Sequence, residues 1–229
     1  MRVLAIADPH LSGATPKPMT VFGPSWEGHP DAFFEGWRSV VREDDLVLIP
    51  GDISWAMRIE DALVDLEAIA ALPGRKVLLR GNHDYWWPSL RKLRTLLPSG
   101  MAAIQNDAVR VGDVVVAGTR GWVVPGSHGF EEHDARIYAR EVQRLRLSLH
   151  AAATLGGDYL AVMLHFPPTN PRGEGSEFLD VLCAAAPDAV VFGHVHGSVP
   201  VVVPKIGDAL VSFVAADHLG FVPAVLRPG

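Results

Sequence analysis

Val3-Leu4-Ala5-Ile6-Ala7-Asp8-Pro9-His10 is an apolar run that stops abruptly at a carboxylate and an imidazole. The pattern recurs. Leu46-Val47-Leu48-Ile49 runs into Gly51-Asp52, and residues 76–80 run into Gly81-Asn82-His83-Asp84. Residues 159–164 deliver His165, and 189–192 deliver Gly193-His194-Val195-His196. A strand places its last residues at one edge of a sheet, so five strand ends can bring these polar groups to one spot. All of them are nitrogen or oxygen donors, the ligand set for a pair of divalent metals. The pattern points to a metal-dependent hydrolase.

Outward from these runs, strand and helix alternate at first. Residues 2–7 read as a strand, 12–30 as a Pro/Gly-rich loop over the sheet edge, and 31–42 as a helix. Residues 45–50 read as a strand, 58–72 as a helix and 76–80 as a strand. In the 58–72 segment Ile59, Leu63, Leu66, Ile69 and Ala70 recur at helical spacing, and Pro73-Gly74 stops it. Pro88 opens a short helix through Leu97. Residues 101–119 then read as short strands with hairpin turns at Asn106-Asp107 and Gly112-Asp113. A long helix, 131–151, carries Tyr138, Val142, Leu145 and Leu149 on one face. Val199–Val203, Ala209–Val214 and Phe221–Leu226 read as further strands. There is no repeat, low-complexity tract or linker, so the sequence predicts a single domain over 1–229. Two packed sheets flanked by helices account for both the early βαβ units and the later hairpins.

A chain of 229 residues with 48% apolar content suits a soluble globular domain that needs no staples. Its net charge of −6 argues against an extended nucleic-acid surface but leaves room for a small anionic substrate, because bound metals set the local field. Cys183 is the only cysteine, and Val181-Leu182-Cys183-Ala184 reads as the setting of an inert buried thiol. No apolar stretch has membrane-spanning length, and the chain opens on a strand without a basic, then apolar, leader. The cytoplasm is the expected compartment.

Taken in order, the polar blocks resemble those of the calcineurin-like metallophosphoesterase superfamily, which run D-x-H, G-D, G-N-H-D/E, H and G-H-x-H. The resemblance covers about residues 3–215, and no block departs from it. It implies an α/β fold, a four-layer α/β/β/α sandwich of two mixed sheets with the metals at the strand ends. Carried over by position, Asp8, His10 and His196 would hold one metal, and Asn82, His165 and His194 the other. Asp52 would bridge them. His83 would be the catalytic histidine, with Asp84 orienting it. The implied activity is hydrolysis of a phosphodiester or phosphomonoester by a metal-generated hydroxide, with no covalent phosphoenzyme. Nitrogen and oxygen donors without thiolate fit manganese, iron, zinc or cobalt, among which availability decides, and manganese is the expected metal. The rival readings are a nuclease and a catalytically silent scaffold on the same fold.

The remaining residues carry less. Trp55, Trp86 and Trp87 follow two of the blocks and could stack a nucleobase or aryl group, loop packing being the plainer account. Arg120 could clamp a phosphate. Arg136, Arg140 and Arg144 form a helical stripe that reads as a solvated face. His128 and His133 flank a Gly-containing loop with the makings of a lid.

Overall fold

In the computed structural model, which describes residues Met1–Gly229, Leu4 and Ile6 belong to one apolar cluster while Val3, Ala5 and Ala7 belong to another. All five are fully buried. Both faces of this strand are therefore covered, which is why its sequence is continuously apolar rather than alternating. Strand β1 (Val3–Ala5) lies in a five-stranded sheet with β2 (Leu46–Pro50), β3 (Arg75–Leu79), β4 (Met101–Ile104) and β10 (Ala224–Arg227), in the order β10-β1-β2-β3-β4. Only the β10 edge is antiparallel. The second sheet runs β5 (Ala108–Val111), β6 (Val114–Thr119), β7 (Tyr159–Leu164), β8 (Ala189–Phe192) and β9 (Leu210–Phe213), and its only antiparallel pair is β5·β6.

Three apolar layers hold the sandwich together. Leu46, Leu48, Val77 and Leu79 of the first sheet meet Val114, Val116, Ala161, Met163 and Val191 of the second. The outer face of the first sheet is covered by α1 (Asp31–Val40), α2 (Ile59–Ala70) and α3 (Leu90–Leu96), through Phe33, Trp37, Leu66, Ile69 and Leu93. The second is covered by α4 (Glu132–Leu155) and α5 (Glu177–Ala185), through Tyr138, Val142, Leu145, Phe178 and Leu182. This is the expected four-layer α/β/β/α arrangement of two mixed sheets. No helix is long and apolar enough to cross a membrane.

Several local expectations need correction. Asn106-Asp107 is not a hairpin turn, since β4 pairs with β3 in one sheet and β5 with β6 in the other. The turn carries the chain between sheets, and short apolar runs do not reveal which sheet they join. Gly112-Asp113 does close a hairpin. Val199–Val203 forms no strand, and Val199, Val202 and Val203 are exposed. Helix α3 begins after Ser89, whose hydroxyl accepts from the Lys92 N–H, so Pro88 precedes the cap rather than opening the helix. Cys183 is exposed, because it sits on the outer face of α5 while Phe178, Val181 and Leu182 face inward.

Truncating the inter-sheet layer should be costly. Leu48→Ala is expected to lower unfolding free energy by about 2–5 kcal/mol in denaturant titration, as for other buried leucines. Leu147→Ala on the exposed face of α4 should change it by less than about 0.5 kcal/mol.

Candidate metal centre

The parallel strands β1, β2, β3, β7 and β8 all end at the same edge, where backbone bonds stitch their exits together. Asp8 N donates to the Gly51 carbonyl, His10 N to the Asp52 carbonyl, and Gly193 N to the His165 carbonyl. Ala7 accepts from Ala216 and donates to Val214, joining the two sheets at the site. Four residues here, Asp8, His10, Asp52 and His194, have φ between +44° and +76°. Left-handed backbone at non-glycine residues is costly and concentrates at functional sites. His194-Val195-His196 is not extended, and its two imidazoles go to different partners.

Two clusters result. The potential ligand atoms of Asp8, His10 and His196 lie within 4.8 Å of one another, as do those of Asp52, His165 and His194. They adjoin. Asp52 Oδ2 is 3.7 Å from His10 Nε2 and 3.4 Å from His165 Nε2, so it faces both clusters. Asn82 Oδ1 is 2.7 Å from His165 Nε2, which adds its amide oxygen to the second group.

The donor chemistry fits a pair of cations. Each carboxylate spends one oxygen on the backbone: Asp8 Oδ2 accepts from His194 N, and Asp52 Oδ1 from His83 N. The other oxygens, Asp8 Oδ1 and Asp52 Oδ2, are buried without a hydrogen-bond partner, as is His10 Nδ1. Burial pushes the Asp8 carboxyl up to about 7, against the pull of His165 and His196. Burial also penalises Asp52, but His165 and His10 outweigh it and hold that carboxyl below its ordinary range. His165 loses affinity for a proton through burial, yet Asp52 and Asp8 raise it to about 9. A fully buried imidazole drawn towards its charged form shows how strongly the two carboxylates call for positive charge. His194 goes the other way, to about 3, through burial and then His165, leaving a neutral nitrogen donor.

Groups behind the donors fix their orientation, as is usual for metal-ligating histidines. His165 Nδ1 lies 3.0 Å from the Pro50 carbonyl, and His196 Nδ1 lies 3.0 Å from Asp217 Oδ1. Asp217 also accepts from Gly197 N. The sequence reading missed this residue because a lone Asp in Ala216-Asp217-His218 carries no spacing signal.

The other site residues divide. His83 is half-buried with its imidazole free of hydrogen bonds, and its ring centroid lies 4.6 Å from that of Trp55. Trp55 stacks on His10 at 4.8 Å, so it borders the centre. Asp84 does not contact His83 through any hydrogen bond. Its carboxylate accepts from Ile53 N, Ser54 N, Gly81 N and Trp86 Nε1, tying together the loops after β2 and β3. Burial, then Asp52, pushes it up to about 6. Trp86 is buried in the core behind Asp84, and so cannot face a substrate. Arg120 is partly buried, stacked on Trp122 at 4.6 Å, and its carbonyl accepts from His165 N and Phe166 N.

A calcineurin-like phosphoesterase family model matches residues 1–198. The chain belongs to that family. No curated protein matches it. Among solved structures, a phosphopantetheinyl hydrolase from Mycobacterium tuberculosis is 13% identical over 100% of this chain and 96% of its own, with a TM-score of 0.58. A protein of unknown function from Aquifex aeolicus is 14% identical over 98% of this chain and 95% of its own, with a TM-score of 0.55. These likenesses extend the fold to the whole chain.

Backbone packs directly against both carboxylates. A Cβ on Gly81 would lie 2.1 Å from Asp52 Oδ1, and one on Gly193 would lie 2.2 Å from Asp8 Oδ2. Gly81→Ala and Gly193→Ala should each weaken manganese binding by about 10–100-fold in calorimetric titration, the usual cost of disturbing groups behind a ligand. Wild-type affinity in both would show that these contacts do not position the carboxylates.

Proposed function

We propose that the chain is a single-domain phosphoesterase that uses two divalent metals, manganese by preference, to hydrolyse a phosphoric ester, with a lean towards diesters. The observation that carries this reading is the pair of buried, unpartnered carboxylate oxygens, Asp8 Oδ1 and Asp52 Oδ2, set among the imidazoles of His10, His165, His194 and His196. Asp8, His10 and His196 would hold one cation, and Asn82, His165 and His194 the other, with Asp52 shared. When bound, such a pair acidifies water towards a pKa of about 7 and neutralises phosphoryl charge.

The remaining work falls to this chain's own residues. His83 has a free imidazole beside the centre, and its N–H to Asp52 fixes its backbone there. It serves as proton donor to the departing ester oxygen or as a contact to the phosphoryl oxygens. Asp84 acts at one remove by holding the two loops that carry Asp52 and His83. Apolar walls on two sides support the diester lean. A cleft lined by Trp122, Phe166, Pro167 and Val201 opens beside His194, while Trp55 and exposed Tyr85 lie beside His83. Each can seat one ester substituent.

Three substitutions separate these roles. Asp52→Asn should lower bound manganese and turnover together. His83→Ala should keep the metal content but slow hydrolysis by about 10²–10⁴-fold on an ester with a poor leaving group. Unchanged turnover there would remove His83 from proton transfer. Trp122→Ala should raise KM for bis(p-nitrophenyl) phosphate more than for p-nitrophenyl phosphate. A wild-type enzyme preferring the monoester would overturn the diester lean.

A further inference from the structure

Beyond the metal centre, four guanidiniums border one cleft. It is lined by Arg80 after β3, Gln105 and Asn106 after β4, Arg120 after β6, and Arg140 and Arg144 of α4, and it encloses about 230 Å³. The strand-borne members sit at the same edge as the metal-centre residues. Arg80 lies two positions before Asn82, and the Arg120 carbonyl accepts from His165 N at 3.0 Å. Arg140 and Arg144 therefore do not simply form a solvated helix face, as their spacing suggested. Arg136, with its exposed ion pair to Glu132, does.

The charges in this cleft do not balance. Glu141 is the one carboxylate lining it. It is buried, accepts from Thr119 Oγ1 at 2.6 Å and Arg144 at 2.6 Å, and lies 3.9 Å from Arg120. The tie from α4 to the sheet is the Glu141–Thr119 bond, and Arg144, on the same helix, already pairs with Glu141. Arg140 has neither a hydrogen bond nor an ion pair from its side chain. Arg80 donates only to the Asp84 carbonyl, at 3.2 Å. Four cations stand against one anion, in a chain of net charge −6, and Arg140 and the guanidinium end of Arg80 are left without a carboxylate partner. Guanidinium forks suit phosphate oxygens, which they bind in bidentate pairs. At about 30 Å³ per water, the cleft has room for a group the size of several waters, enough for a phosphoryl group.

We propose that this cleft is an anion subsite, holding a second phosphoryl group of the substrate while the first lies at the metals. Resting on the phosphoesterase reading, it narrows the substrate class to small molecules with two phosphoryl groups, such as nucleoside bisphosphates or diphosphates. Arg140 and Arg80 supply the free donors, Arg120 the floor, and Glu141 holds Arg144 and Arg120 in place.

Calorimetric titration of adenosine 5′-monophosphate, adenosine 5′-diphosphate and adenosine 3′,5′-bisphosphate into the manganese-loaded protein tests this. At least one doubly phosphorylated nucleotide should bind the wild type about tenfold more tightly than the monophosphate, the gain of one charge-assisted hydrogen bond. That ratio should fall towards one in Arg140→Glu, an exposed position whose change leaves the Glu141 contacts intact, and in Arg120→Gln. A wild-type ratio near one, or a ratio that survives both substitutions, overturns the proposal. The ratio needs no turnover. Failure of the wild type to hydrolyse bis(p-nitrophenyl) phosphate would therefore count against the phosphoesterase reading separately.

Discussion

Two aspartates, Asp8 and Asp52, are buried at the seam where two sheets meet, each with one oxygen satisfied by backbone and the other left bare. Burying an ionised carboxylate without a partner costs several kcal/mol, so such groups are held only where something positive comes to meet them. Much of the local architecture follows from that demand. It draws His165 towards its charged form and gathers His10, His194 and His196 into the gap. Left-handed backbone at four of these residues adds conformational cost. The core beneath absorbs it.

The sandwich supplies that core and also the convergence. Parallel strands put all their exits on one edge, so residues as distant as Asp8 and His196 become neighbours without any long-range coincidence of loops. Close packing then sets the tolerances. Gly81 and Gly193 let neighbouring strand exits come into contact with the carboxylates, and the Asp84 carboxylate pins the next two loops. Charge is zoned as well. Acidic groups and imidazoles fill the centre, apolar walls stand beside His194 and His83, and arginines line the cleft between the exits of β3 and β6 and helix α4.

The strand runs were legible because burial on both faces leaves them almost wholly apolar, and the polar blocks because each follows such a run. Residues 159–164 and 189–192 form strands with the expected bounds for that reason. What the sequence hid was anything set by partners in space. The turn at Asn106-Asp107 looks like any hairpin turn, yet it changes sheets. Asp84 next to His83 suggested an imidazole-orienting pair, but its side chain turns to backbone N–H groups across two loops instead. Cys183 lies outside against expectation, and Trp86 follows the packing account rather than the substrate-stacking one, since neither neighbourhood reveals which face is covered. Asp217 and the arginine cleft are assembled only by folding.

The claim that everything else rests on is that this cluster of carboxylates and imidazoles grips two cations side by side. Anomalous diffraction from crystals grown with manganese measures that directly. Two peaks about 3.5–4 Å apart, with Asp52 between them, are expected. A single peak, or none within reach of Asp8 and Asp52 at saturating manganese, would contradict it.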